Sequence, residues 1–217
     1  MRHCRPPTVW VVPVTTLQLT LDLIGIAVFA VSGAFVAVDK KLDIFGVMFL
    51  AAITALGGGF IRDAMLGATP AAALTDWRYL VTPVVVGLVV FYVHPAVARL
   101  SRLFLLVDAA GVGLFAVAAA RKAVDHGVGA AGACGIGLFT AIGGGILRDV
   151  IVREIPSVLH DREIYATPAL IAAAMVVAGD GAGLDNVTVA IASIAVAFAL
   201  RVLGQWRNWT VPTSADA

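Results

Sequence analysis

Two short blocks hold most of the polar chemistry in the apolar interior of this chain: Gly57-Gly58-Gly59-Phe60-Ile61-Arg62-Asp63 and Gly143-Gly144-Gly145-Ile146-Leu147-Arg148-Asp149. Three glycines in succession remove side chains and relax the steric limits on φ. Each costs about 1 kcal/mol against alanine inside a helix, so the triplets predict a kinked or unwound segment. Such backbone is tolerated at membrane depth only where protein buries it or water reaches it. Its carbonyl oxygens are then free to replace part of a cation's hydration shell. Arg62, Asp63, Arg148 and Asp149 stand where a charge costs ~2.5–3.5 kcal/mol on insertion scales. The blocks therefore read as an ion pathway and its gate, with transient cation coordination by carbonyls of Gly57, Gly58, Gly59, Gly143, Gly144 and Gly145 and no resident metal. A purely structural clasp is the alternative, Arg62 with Asp149 and Arg148 with Asp63. Neighbouring residues point about 100° apart on a helix, which favours these cross pairs over Arg62 with Asp63.

The surroundings of the blocks are those of a lipid-embedded chain. Of 217 residues, 60% are apolar and 13% charged, against about 25% charged in soluble domains. Seven apolar runs approach the length that crosses ~30 Å of hydrocarbon: 17–38, 44–66, 79–98, 103–120, 128–152, 164–178 and 184–203. With no water to satisfy backbone groups, each is expected to be helical. A net charge of +1 provides no field for nucleic acid. Cys4 and Cys134 match no disulfide framework or zinc spacing, and His94, His126 and His160 form no metal set. No phosphate loop and no nucleophile–base pair occurs, so no catalytic residue, enzyme activity or cofactor is expected.

The chain is also duplicated. Sliding it by 86 positions (Asp63 onto Asp149) aligns Asp22 with Asp108, Gly25 with Gly111, Phe29 with Phe115, Thr54 with Thr140, Pro70 with Pro156, and the two blocks with each other. Each copy holds three helices, an odd number, so the second copy enters the membrane inverted, a plan typical of transporters with sites at the repeat interface. The expected fold is an all-α membrane protein of seven transmembrane helices: two inverted three-helix repeats plus a seventh helix without a counterpart, with the second and fifth helices broken at the glycine triplets. The divisions are an N-terminal extension (1–16), the first repeat (17–100), the second repeat (101–182), the seventh helix (183–205) and a disordered tail (206–217). Asp22 and Asp108, near the starts of the first and fourth helices, read as evenly a dipole cap or a functional carboxylate, the latter as a cation-attracting mouth or a partner for a motif arginine. Thr54 and Thr140 are expected to bond the preceding turn's carbonyl, and Ser32-Gly33 to be a close-packing site. The distribution of Lys and Arg among the loops favours an outside N-terminus and a cytoplasmic C-terminus.

ALGGGFIRDAMLG (55–67) and AIGGGILRDVIVREIP (141–156), in a duplicated three-helix unit with a seventh helix, resemble the prokaryotic branch of the trimeric intracellular cation channel family. The same domain has been described as a glycine transporter. The resemblance implies a homotrimer in the bacterial inner membrane with a separate pathway in each subunit for monovalent cations, chiefly potassium, with sodium as a further permeant ion. The alternative is a secondary carrier for glycine or another small zwitterion, in which Arg holds the substrate carboxylate and Asp its ammonium.

Overall fold

A computed structural model of the chain describes residues 15–97, 101–160, 166–207 and 209. The expected N-terminal extension and tail lie almost wholly outside them. The described residues form nine helices: α1 (Thr16–Asp39), α2 (Ile44–Leu66), α3 (Ala72–Thr75), α4 (Trp77–Val97), α5 (Ser101–Asp125), α6 (Ala130–Ile151), α7 (Ser157–His160), α8 (Ala166–Gly181) and α9 (Asn186–Trp206). Polar caps mark three of the starts. Thr15, Asp43 and Asp185 accept hydrogen bonds from the backbone N–H groups of Gln18, Gly46 and Thr188, satisfying donors that a helix N-terminus leaves open. Gly67, at φ 66°, ends α2 in the left-handed conformation that glycine adopts without strain.

The seven long helices sort by sequence order into two bundles, α1/α2/α4 and α5/α6/α8, with α9 packed on α5 and α8. Between the bundles α1 packs on α5 and α2 on α6. Trp77, Tyr92, Phe45, Ile191 and Trp206 are each more than 60% exposed on the outer surface. A water-facing surface of that kind would be an aggregation hazard; facing lipid, it is the low-energy arrangement. Among the described residues, four helices, α1, α2, α6 and α9, are long and apolar enough by themselves to cross a membrane.

The duplication is expressed as reciprocal contact. At the α1–α5 crossing a Cβ on Gly25 would lie 3.2 Å from the ring of Phe115, and one on Gly111 would lie 2.8 Å from the ring of Phe29. The two rings stack with centroids 5.0 Å apart. At the α2–α6 crossing a Cβ on Gly58 would lie 2.2 Å from the carbonyl oxygen of Thr140, and one on Gly144 would lie 2.2 Å from that of Thr54. In both crossings the partner's number falls as the residue number rises, so the helices run antiparallel. A pseudo-two-fold axis therefore passes through the ring stack and the glycine crossing.

One expectation about the blocks is corrected. The backbone runs as α-helix straight through Gly57–Gly59 and Gly143–Gly145, so the second and fifth long helices are not broken there. Their carbonyls stay in the helical hydrogen-bond ladder and are not released to coordinate a cation. The glycines serve packing instead. Gly58 and Gly144 let backbone meet backbone, while Gly57 and Gly143 seat Leu147 and Ile61, whose δ-carbons would lie 2.4 and 2.7 Å from an added Cβ. Close approach of small residues is how helices gain dispersion contact where lipid removes the hydrophobic drive.

The residues within one triplet are accordingly not equivalent. Gly58→Ala and Gly144→Ala force a methyl group into a carbonyl and should lower stability by about 1–3 kcal/mol or more. A Cβ on Gly59 meets nothing within 4 Å, so Gly59→Ala should gain up to about 1 kcal/mol of helix propensity. Thermal unfolding in detergent distinguishes them, and equal effects at positions 58 and 59 would remove the packing explanation.

Candidate functional site

The side chains of the two blocks form two buried ionic groups, one in each repeat, built alike. In the first, Arg62 of α2 donates through Nη1 to Asp22 Oδ1 of α1 at 2.7 Å and through Nε to Asp63 Oδ1 at 2.8 Å. In the second, Arg148 of α6 donates to Asp108 Oδ1 of α5 at 3.2 Å and to Asp149 Oδ1 at 2.8 Å. All six of these residues are at most 5% exposed. The cross-repeat clasp offered as the alternative is therefore corrected: each arginine pairs with aspartates of its own repeat. The argument from helical direction considered Cβ vectors alone. A long guanidinium stem folds back on its own helix, and Nε then reaches the adjacent carboxylate. Asp22 and Asp108 are confirmed as partners of the motif arginines, one of the three roles open to them.

The second oxygen of each motif aspartate has a different task. Asp63 Oδ2 accepts from the N–H of Ala72, and Asp149 Oδ2 from that of Ser157, at 2.9 and 3.0 Å. These are the first residues of α3 and α7, the short helices that follow each block. The carboxylates thus tie the connection after the block to the ionic group, where they meet the free N–H groups of a helix start.

Each group also takes in a residue that the repeat does not share. Lys122, near the end of α5, donates to Asp63 Oδ1 at 2.7 Å; its counterpart in α1 is Val36. Tyr79 donates its hydroxyl to Asp22 Oδ2 at 3.0 Å, and Gln18 its amide to Asp22 Oδ1. In the second group Arg201 of α9, 4% exposed, lies 3.7 Å from Asp108 Oδ2, and Arg148 also donates to Ser32 Oγ at 2.6 Å. Ser32 is thus a polar contact, while Gly33 keeps the packing role, set against Thr54 and the carbonyl of Leu50. Among these residues each group matches two carboxylates with two cations. That balance is what a low-dielectric interior requires, since a lone buried charge is several kcal/mol unfavourable.

Sequence reasoning missed Lys122, Tyr79 and Arg201. Lys122 lies just beyond the apolar run 103–120, yet it follows Asp108 and Phe115 at two-turn intervals along α5, so all three share one face. Arg201 stands inside the last apolar run, and a charge there is a functional signal by default. Thr54 and Thr140 behave as expected, each hydroxyl donating to the carbonyl four residues earlier at 2.6 Å. A cavity of about 10 Å³ lies against Asp22, Gly59, Arg62, Asp63, Tyr79 and Phe115, about the space of one water.

Comparison with known proteins agrees with this construction. A family model described as Glycine transporter matches residues 19–95 and 105–180, one match to each repeat. The chain belongs to this family. A UPF0126 membrane protein of Deinococcus radiodurans is 45% identical over 150 residues, covering 69% of this chain and 70% of that protein. The UPF0126 inner membrane protein YadS of Escherichia coli is 40% identical over 152 residues, 70% of this chain and 73% of that one. Among solved structures, the TRIC trimeric intracellular cation channel orthologue from Rhodobacter sphaeroides superposes with a TM-score of 0.85 at 39% identity, covering 89% of this chain and 100% of that one. The resemblance carried by the paired blocks is thus the relationship found, and the chain is an all-α integral membrane protein of that family.

The ionic groups generate a test of their own. Arg62→Gln leaves Asp22 and Asp63 facing each other and should cost about 3–5 kcal/mol, with much of that recovered in Arg62→Gln/Asp22→Asn. In the other group Arg201→Gln should be rescued by Asp108→Asn and not by Asp22→Asn. Unfolding of the single and double variants in detergent measures both couplings, and simple additivity would show that these pairs are not energetically linked.

Proposed function

We propose that the protein is a cation channel of the bacterial inner membrane that passes monovalent cations, chiefly potassium, with one pathway in each subunit of a homotrimer. The observation that carries this reading is the pair of buried Asp-Arg-Asp groups, each with a further cation, Lys122 or Arg201, on either side of a pseudo-two-fold axis in a chain with a trimeric cation channel among its solved relatives. Seven crossings in two inverted repeats, with the N-terminus outside and the C-terminus cytoplasmic, place Asp22, Arg62 and Asp63 toward the outer side and Asp108, Arg148 and Asp149 toward the inner. The carboxylates favour cations over anions. The arginines, fully engaged by those carboxylates, present little free positive charge to a passing ion and form the polar gate that it must rearrange.

The second reading is a carrier for glycine or a similar zwitterion, which the family model's description favours. In it Arg62 or Arg148 would grip a substrate carboxylate. Each guanidinium is instead occupied by two aspartates, and the adjoining cavity of about 10 Å³ has room for a water but not for an amino acid. These observations weigh against the carrier in the conformation described.

Flux into liposomes containing the purified protein decides between them. Under an imposed gradient, potassium flux should be non-saturating, indifferent to glycine, and reduced in Asp63→Asn/Asp149→Asn. Saturable uptake of labelled glycine without potassium flux would replace the channel with the carrier.

A further inference from the structure

The two ionic groups lie on opposite sides of an aromatic pair. Phe29 and Phe115, which stand between them, are 0% and 2% exposed and stack at 5.0 Å with 28° between their planes. Each ring sits two helical turns from the aspartate of its own helix, Asp22 or Asp108. Because α1 and α5 run antiparallel with Gly25 opposite Phe115 and Gly111 opposite Phe29, the two aspartates lie about 15 Å apart along the helix axes, on opposite sides of the stack. Phe115 is among the residues that line the cavity beside Asp22, Arg62 and Asp63. On the other side Arg148 reaches Ser32, one turn beyond Phe29, and Phe29 Cδ2 lies 3.9 Å from the place a Cβ on Gly144 would take. The stack thus adjoins the glycine crossing on the same pseudo-axis.

We propose that the Phe29–Phe115 stack is the dry barrier of the pathway, a two-ring septum that a cation passes only when the rings part. This rests on the channel reading. A ring pair presents no oxygen to replace an ion's hydration shell, so the closed stack bars ions and water until the rings separate. Gly25 and Gly111 make the septum possible, since any side chain there would push the opposing ring away. The septum divides the labour of gating: the ionic groups select and hold charge at each end, and the rings set the central barrier. It also explains why an aromatic residue occupies both symmetry-related positions at the α1–α5 crossing.

The test uses the full chain in liposomes, with potassium flux and thermal unfolding measured for each variant. Phe115→Ala and Phe29→Ala should raise the initial flux about tenfold by removing half of the septum. Phe115→Leu, which keeps most of the volume, should raise it less and decides the matter if the alanine variants do not fold. Phe139→Ala, on the exposed face of α6, should leave flux at the wild-type rate. Folded ring variants whose flux stays at the level of a conducting wild type would overturn the septum and leave the channel reading standing. Absence of potassium flux from the wild type and from every folded variant would overturn the channel reading and the septum with it.

Discussion

The crossing of α2 and α6 governs the rest of the molecule, because there two helix backbones come close enough for Gly58 and Gly144 to rest on the carbonyls of Thr140 and Thr54. No other residue type fits at those points. The close approach brings the two blocks to one axis and fixes the antiparallel register. It also points Arg62 and Arg148, one turn farther along their helices, toward opposite ends of the protein. The threonine hydroxyls turn back onto their own helices, which leaves each carbonyl to face only a hydrogen of the opposing glycine.

Given that crossing, the placement of charge follows from the dielectric. Each duplicated trio, two aspartates and one arginine, carries a surplus negative charge that lipid-embedded protein accommodates poorly. The fold supplies the missing cation twice from unrelated positions, Lys122 on α5 and Arg201 on α9. The seventh long helix, which has no partner in the repeat, is therefore not an ornament on the outside of a symmetric core. It brings a buried guanidinium to the one group that the second repeat leaves unbalanced. The duplicated scaffold is symmetric in backbone and asymmetric in chemistry, with a lysine at one end and an arginine at the other.

A second consequence concerns the connections. Asp63 and Asp149 each use one oxygen for the arginine and the other for the start of a short helix. The start of the short helix after each block is thus tied to the ionic group that precedes it.

Much of this was legible in residue order alone. Periodic apolar runs in a chain poor in charge imply membrane helices, because lipid allows no other way to satisfy the backbone. The offset that lays Asp22, Phe29 and the glycine blocks onto Asp108, Phe115 and their copies implies an inverted duplication, because three is odd. Those inferences depend only on local composition and counting. Three things required the tertiary structure. The glycines keep their helices intact, because the lost propensity is offset by packing against a helix far away in sequence. The arginines pair inside their repeats, because a flexible side chain's partner depends on where carboxylates stand in space. Lys122 and Arg201 join the groups because burial, which no linear pattern states outright, turns an ordinary basic residue into a required counter-charge.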